Sequence, residues 1–312
     1  MLKVQSFLLA VVMTVVSLFG SIQLKLDFTR KIPKGYKELT DVSYGESPQQ
    51  VFDITFPEGI GSDLSLSVYI HGGAWWGGDK NTSYSILYGY FSDRKMLDDM
   101  ICARVNYRLL TESDPGINCE AQLQDIDNAL KKIVEVCKEN GYNVTKAMLW
   151  GESAGGHLST MYCYKYKKTS PVNIGLCYSI CGPTDLTDNW YFTTCEIKGR
   201  EMATLQKLLT SADITLDNYT GEAAIEARKS VSPLYYVTPD SVPTLYYSGG
   251  KDPLVQTSDG EKLAAALKKN GVDHYYMEFP NSPHCGRVKD DYGYCKLFDL
   301  HLESMLKKYV KR

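Results

Sequence analysis

The sequence predicts an α/β fold: a mostly parallel central sheet flanked by helices, with a small helical cap or lid inserted over it. Three observations predict it. Short apolar, β-branched runs alternate along the chain with stretches of helical periodicity, the pattern of parallel strands joined by crossover helices. One such run, "KAMLW" (146–150), passes directly into "GESAGGHL" (151–158), a turn rich in small residues where a strand should become a helix. The alternation then breaks between Asp185 and Val242, where two helical stretches and several polar turns stand in place of one crossover.

Taken in order, residues 1–22 stand apart. Lys3 precedes "FLLAVVMTVVSLFGSI" (7–22), which carries no charge and reads as a signal peptide or an uncleaved N-terminal anchor. The expectation is an exported, secreted or extracytoplasmic protein, touching a membrane only through that segment, with one domain over 23–312. Strands are predicted at 50–57, 63–73 and 99–109. Residues 119–141 form an amphipathic helix: Leu123, Ile126, Leu130, Ile133, Val134 and Cys137 recur every three or four positions, and Gly141 ends it. After the strand at 146–150, a helix starts just past Ser153 and runs through Tyr164. A strand follows at 173–182, and then the insertion of about 185–242, with helices near 199–210 and 221–229. Strand 244–250, helix 257–271, strand 273–279 and helix 291–310 close the chain.

Composition narrows the function. A net charge of −3 over 312 residues gives no basic excess for nucleic acid. The nine cysteines lie mostly within apolar segments and no pair has zinc-ligand spacing, so no metal is expected. A Cys285–Cys295 bridge, or one from Cys119 to a distant partner, stays open.

Gly151, Ser153 and Gly155 make a Gly-x-Ser-x-Gly pattern, and ligands in parallel sheets bind at the carboxyl ends of the strands. A serine there serves either as a helix N-cap or as a nucleophile, which needs a base and an acid. Of five histidines, His71 directly follows a strand, His157 falls one turn along the serine's own helix, His274 opens a strand and His301 lies in the last helix. Only His284, in "FPNSPHCG", sits in a loop after a late strand, where an imidazole can face the serine. For the acid, Asp252 in "SGGKDPLV" and Asp185 in "GPTDL" both follow strands and both precede His284 in the chain. Finally, "HGGAWWGGD" (71–79) follows a strand and supplies the glycines that a tight, ligand-approaching loop requires.

Together, "HGGAWWGGD", "VNYRL", "GESAGGHL", "GPTDL", "SPLYYV", "SGGKDPLV" and the loop histidine resemble the α/β-hydrolase superfamily. More narrowly they resemble its esterase/lipase branch with an HGG oxyanion loop, especially carbohydrate-esterase-like members. The resemblance covers roughly 45–310 and implies an α/β-hydrolase fold. It implies Ser153 as nucleophile, Asp252 rather than Asp185 as acid, and His284 as base. It implies an oxyanion hole from the amides of Gly73, Ala74 and Ala154, with His71 bracing the loop. Ala74 departs from the pattern, since many relatives carry a third glycine there. Trp75 and Trp190 are expected to wall the substrate pocket, and Trp76 to join the core. Glu152 is expected to make a structural hydrogen bond or to pair with the helix dipole. The expected function is a serine carboxylesterase acting on acetyl or feruloyl esters of carbohydrates, without cofactor, its partner being a small-molecule or polysaccharide ester. Two alternatives stand beside it: an amidase or peptidase, since the HGG-x-W loop also resembles kynurenine formamidase, and a non-catalytic binding or adhesion protein.

Overall fold

The computed structural model describes residues 35–82 and 95–311. The expected leader at 1–22 lies outside them. Among the described residues no helix is long and apolar enough to cross a membrane.

The strands are β1 (Tyr36–Ser43), β2 (Val51–Pro57), β3 (Asp63–Ile70), β4 (Met100–Val105), β5 (Asn143–Glu152), β6 (Ile174–Ile180), β7 (Thr244–Gly249) and β8 (His274–Phe279). They form one eight-stranded sheet in the order β1-β2-β4-β3-β5-β6-β7-β8. β1 and β2 pair antiparallel, as do β2 and β4; every later pair is parallel. This is the α/β-hydrolase fold that the sequence predicts. β1 was not predicted. Its half-exposed, charged sequence YKELTDVS lacks an apolar face, and it is held as an edge strand by partners distant in the chain. Among these is Arg104 of β4, whose buried guanidinium binds both Glu38 and Asp53.

Period-two alternation sends side chains to the two faces. Val68, Ile70 and Leu149 join one core with helices α1 (Cys119–Glu139) and α2 (Ala154–Lys165). Tyr69, Met148 and Trp150 join the other, against the final helix, Tyr292–Tyr309. α1 begins at Asn118, whose side chain accepts the Ala121 N–H at 3.0 Å, and ends before Gly141, which takes a φ of +83°. Between β6 and β7, the expected insertion holds α3 (Trp190–Thr193), α4 (Arg200–Thr210), α5 (Glu222–Ser230) and a 3-10 turn at Pro233–Tyr236. α6 (Ser258–Lys269) joins β7 to β8, and the final helix is α7.

The parallel register matters for the site. Ile70 pairs with Gly151, Gly151 with Ser179, Ile180 with Tyr247 and Gly249 with Phe279. The strands β3, β5, β6, β7 and β8 therefore end at one edge, and the loops carrying Gly73, Ser153, Asp252 and His284 all leave from it.

Candidate active site

The turn at Ser153 depends on two glycines. A Cβ at Gly151 would stand 2.3 Å from the Ile70 carbonyl oxygen, and one at Gly155 2.0 Å from the same atom. Only hydrogen at both positions lets α2 start hard against the end of β3. Ser153 takes φ 54°, ψ −123°, a conformation that L-residues rarely adopt. Its N–H donates to the Ile180 carbonyl at 2.8 Å, which helps fix the turn. Ser153 is the N-cap of α2 but makes no side-chain capping bond, so the N-cap reading does not account for its hydroxyl.

Asp252 and His284 meet across two loops. His284 Nδ1 lies 2.6 Å from Asp252 Oδ2. The other carboxylate oxygen, Oδ1, accepts the N–H groups of Leu254 (2.8 Å) and Val255 (2.9 Å). The loops are tied together because the Lys251 N–H donates to the Ser282 carbonyl at 3.0 Å. Buried Asp291 holds the histidine loop through Asn281 N–H (2.9 Å) and Ser282 Oγ (2.6 Å). His284 Nε2 is buried with no hydrogen-bond partner in the protein. Burial, the largest influence, pulls the imidazole's pKa down, but the hydrogen bond and charge of Asp252 outweigh it and leave the pKa raised. Asp185, the other acid considered, has its oxygens engaged elsewhere, by Lys262 (2.8 Å) and by Thr187 Oγ1 (2.5 Å).

The loop after β3 lies over the elbow. A Cβ on Gly72 would come within 3.2 Å of Ser153 Cβ. Gly73, Ala74 and Trp75 take φ values of 115°, 51° and 63° in succession. Two of these are not glycine, so the loop is strained there and must be held from several sides. The Gly73 carbonyl accepts Gly77 N–H at 2.9 Å, and the Trp75 carbonyl accepts Leu110 N–H (3.0 Å) and Gln122 Nε2 (2.9 Å). The Trp75 indole donates to His157 Nδ1 at 3.0 Å. His157 Nε2 in turn donates to the Val231 carbonyl at 2.7 Å. His71 stacks on Tyr107 with centroids 4.3 Å apart, and Tyr107 donates back to the His71 carbonyl at 2.9 Å. Burial pushes both His71 and His157 down to about 4, so they are neutral structural imidazoles. Glu152 accepts Gly72 N–H (3.1 Å) and the Tyr69 hydroxyl (2.7 Å), a structural hydrogen bond that pins the loop from below.

A cavity of about 50 Å³ opens beside Ser153, bounded by Ala74 and Trp75, by α4 and by Leu254 and Val255. Trp75 lines it. Trp190 does not: in the single turn of α3 its neighbour Tyr191 turns inward, and Trp190 packs edge-on against that ring at 5.4 Å. Leu205, Gln206 and Leu209 of α4 form part of the wall. The sequence signal for them was the amphipathic stretch at 199–210, which does not say what its apolar face covers. Trp76 packs, partly buried, on the main core.

All nine cysteines are free thiols, so neither Cys285 nor Cys119 is bridged. The neighbour of Cys285 is Cys181, whose sulfur receives the Cys285 N–H at 3.4 Å. Among the described residues, Cys181, His284 and Cys285 bring potential metal-ligand atoms within 4.8 Å of one another. Spacing along the chain could not reveal this group, since Cys181 follows β6 and the others follow β8.

Residues 52–267 match the BD-FAE family, which is more than half of the chain. The chain belongs to the BD-FAE family. Its fold is shared with solved esterases of low sequence identity. Esterase B from Lactobacillus Rhamnosis is 17% identical with a TM-score of 0.71, covering 96% of this chain and 95% of that one. Bacterial heroin esterase is 19% identical with a TM-score of 0.68, covering 94% and 90%. A truncated carbohydrate esterase from gut microbiota is 17% identical with a TM-score of 0.66, covering 86% and 98%. Among curated proteins, esterase LipQ of Mycobacterium tuberculosis is 21% identical over 79% of this BD-FAE chain and 57% of its own length. Kynurenine formamidase of Danio rerio is 25% identical over 39% of this chain and 38% of its own. The match thus spans well under two thirds of either relative.

Proposed function

We propose that this BD-FAE family member is a serine carboxylesterase that works through an acyl-enzyme. The observation that carries this is the Asp252–His284 contact at the strand edge that presents Ser153, with His284 Nε2 buried and lacking a protein partner. His284 Nε2 takes the proton of Ser153 Oγ as that oxygen attacks the ester carbonyl. Asp252 accepts the Nδ1–H and stabilises the imidazolium that forms. The amides of Gly73, Ala74 and Ala154 receive the oxyanion; Ala154 opens α2, where the first N–H groups lack intrahelical partners and the helix dipole favours negative charge. The alcohol departs with the proton from His284, and water then repeats the sequence on the acyl-serine.

The substrate class we propose is a carbohydrate ester, acetyl ahead of feruloyl. Supporting this are the family assignment, the fold shared with a carbohydrate esterase and the small cavity at the serine. We further propose that the charge-free run at 7–22 exports the protein. The deciding experiment is labelling with a fluorophosphonate, followed by turnover of p-nitrophenyl acetate, acetylated xylan and N-formyl amides. Labelling at Ser153 and cleavage of the esters support the reading. Folded protein that takes up no label overturns it in favour of a binding role, and cleavage confined to the amides replaces esterase with amidase.

A further inference from the structure

The wall of the cavity beside Ser153 is apolar, with few polar groups, and most of those are committed elsewhere. The Tyr191 hydroxyl donates to Asp259 at 2.9 Å, and the Cys195 thiol donates to the Leu254 carbonyl at 3.4 Å. Two polar side chains on the lining are left: Ser153 and Gln206. Gln206 sits on α4, only 1% exposed. Its Nε2 lies 3.4 Å from the Met202 thioether sulfur, a weak acceptor, and its Oε1 has no hydrogen-bond partner. A buried amide oxygen without a donor is destabilising and uncommon in native folds. Leucine or methionine would fill the same space without that cost. On the wall of a substrate cavity, that oxygen can accept from a donor that the ligand brings.

We propose that Gln206 determines acyl specificity, and that the pocket takes short acyl groups bearing a hydroxyl, which donates to Gln206 Oε1. The inference rests on the serine-esterase reading above and, within it, favours a short hydroxyacyl group over the plain acetyl group. The enclosed part of the ester is the acyl group, because a carbohydrate alcohol is too large for about 50 Å³ and must leave to solvent. One water needs roughly 10–15 Å³ of such space, so the cavity holds about three to five water-sized groups, enough for the methylene and methine carbons, the methyl and the hydroxyl that a 3-hydroxybutyryl group carries beyond its carbonyl. Ser153 thus meets the carbonyl at one end of the group and Gln206 meets the hydroxyl further in.

The test compares p-nitrophenyl 3-hydroxybutyrate with p-nitrophenyl 3-methylbutyrate, in which a methyl replaces the hydroxyl. A site built to bond a hydroxyl rejects the analogue lacking it, so wild-type kcat/KM should favour the hydroxy ester by about tenfold or more. Gln206→Leu should bring the ratio to one or below. Both esters are measured on the same preparation, so the fraction folded cancels. If Gln206→Leu turns over neither ester, Gln206→Met, unbranched and without the carbonyl, is measured for the same ratio. A wild-type ratio at or below one overturns the inference while leaving the esterase reading standing. So does a preference that survives in the variants. A wild-type protein inert toward p-nitrophenyl acetate as well overturns the esterase reading, and this inference with it.

Discussion

The fold treats two histidines, His157 and His284, differently. His157 lies one helical turn beyond Ser153, fully buried, both ring nitrogens bonded to neutral groups: the Trp75 indole and the Val231 carbonyl. Burial then prevails and its pKa falls to about 4. His284 comes from a loop more than a hundred positions away in sequence. One nitrogen faces a carboxylate and the other has no hydrogen-bond partner in the protein, and its pKa rises although burial pulls the other way. Proximity to the serine in sequence therefore does not identify the base. The partner on the far nitrogen does: a neutral partner makes a brace, and an anionic partner makes a group able to hold a proton.

The largest effect that sharpens this contrast is on turnover. Ser153→Ala and His284→Ala should each lower kcat for p-nitrophenyl acetate by about a millionfold, with far-ultraviolet circular dichroism unchanged. His157→Leu should retain turnover, and a loss as deep as that of His284→Ala would break the comparison. Next comes Asp252→Asn, which should lower kcat by about ten-thousandfold. It should also move the acid limb of kcat/KM to lower pH, because burial persists while the anion that raised the His284 pKa is gone. In the wild type that limb should fall above the ordinary histidine value of about 6.5, since turnover needs neutral His284.

A third test reads stability. His157→Leu strands the Trp75 indole N–H and the Val231 carbonyl, at about 1–3 kcal/mol each, and should lower the Tm measured by calorimetry. The wild-type Tm should also fall as pH drops from about 6.5 towards 4. There the unfolded chain protonates its imidazoles while buried His71 and His157 stay neutral. His284 contributes in the opposite sense. Its stabilisation is complete below the unfolded value and is lost as pH rises through its raised folded value. His157→Leu should flatten the acid slope; an unchanged slope would contradict the neutral brace. The smallest effect concerns the loop that His157 braces. Ala74 sits at φ 51°, so Ala74→Gly should stabilise the protein by about 1 kcal/mol in urea unfolding by relieving left-handed strain.

The sequence by itself determined the alternation of strands and helices, the elbow at Ser153 and the loop address of His284. These are local signals: periodicity, glycines around one serine, and a polar turn after an apolar run. Helix boundaries at 119–141 and 199–210 came within a residue or two of the observed ones for the same reason. Tertiary structure alone decided what depends on distant partners. It placed β1, which has no apolar face of its own and is held through Arg104. It turned Tyr191 rather than Trp190 toward the cavity, set Glu152 beneath the loop after β3, and put Cys181 beside Cys285. It also left Gln206 facing an apolar cavity with an unanswered carbonyl. Periodicity says which side of an element is buried. What that side meets is fixed by the register of the parallel sheet, which gathers loops from across the chain at a single edge.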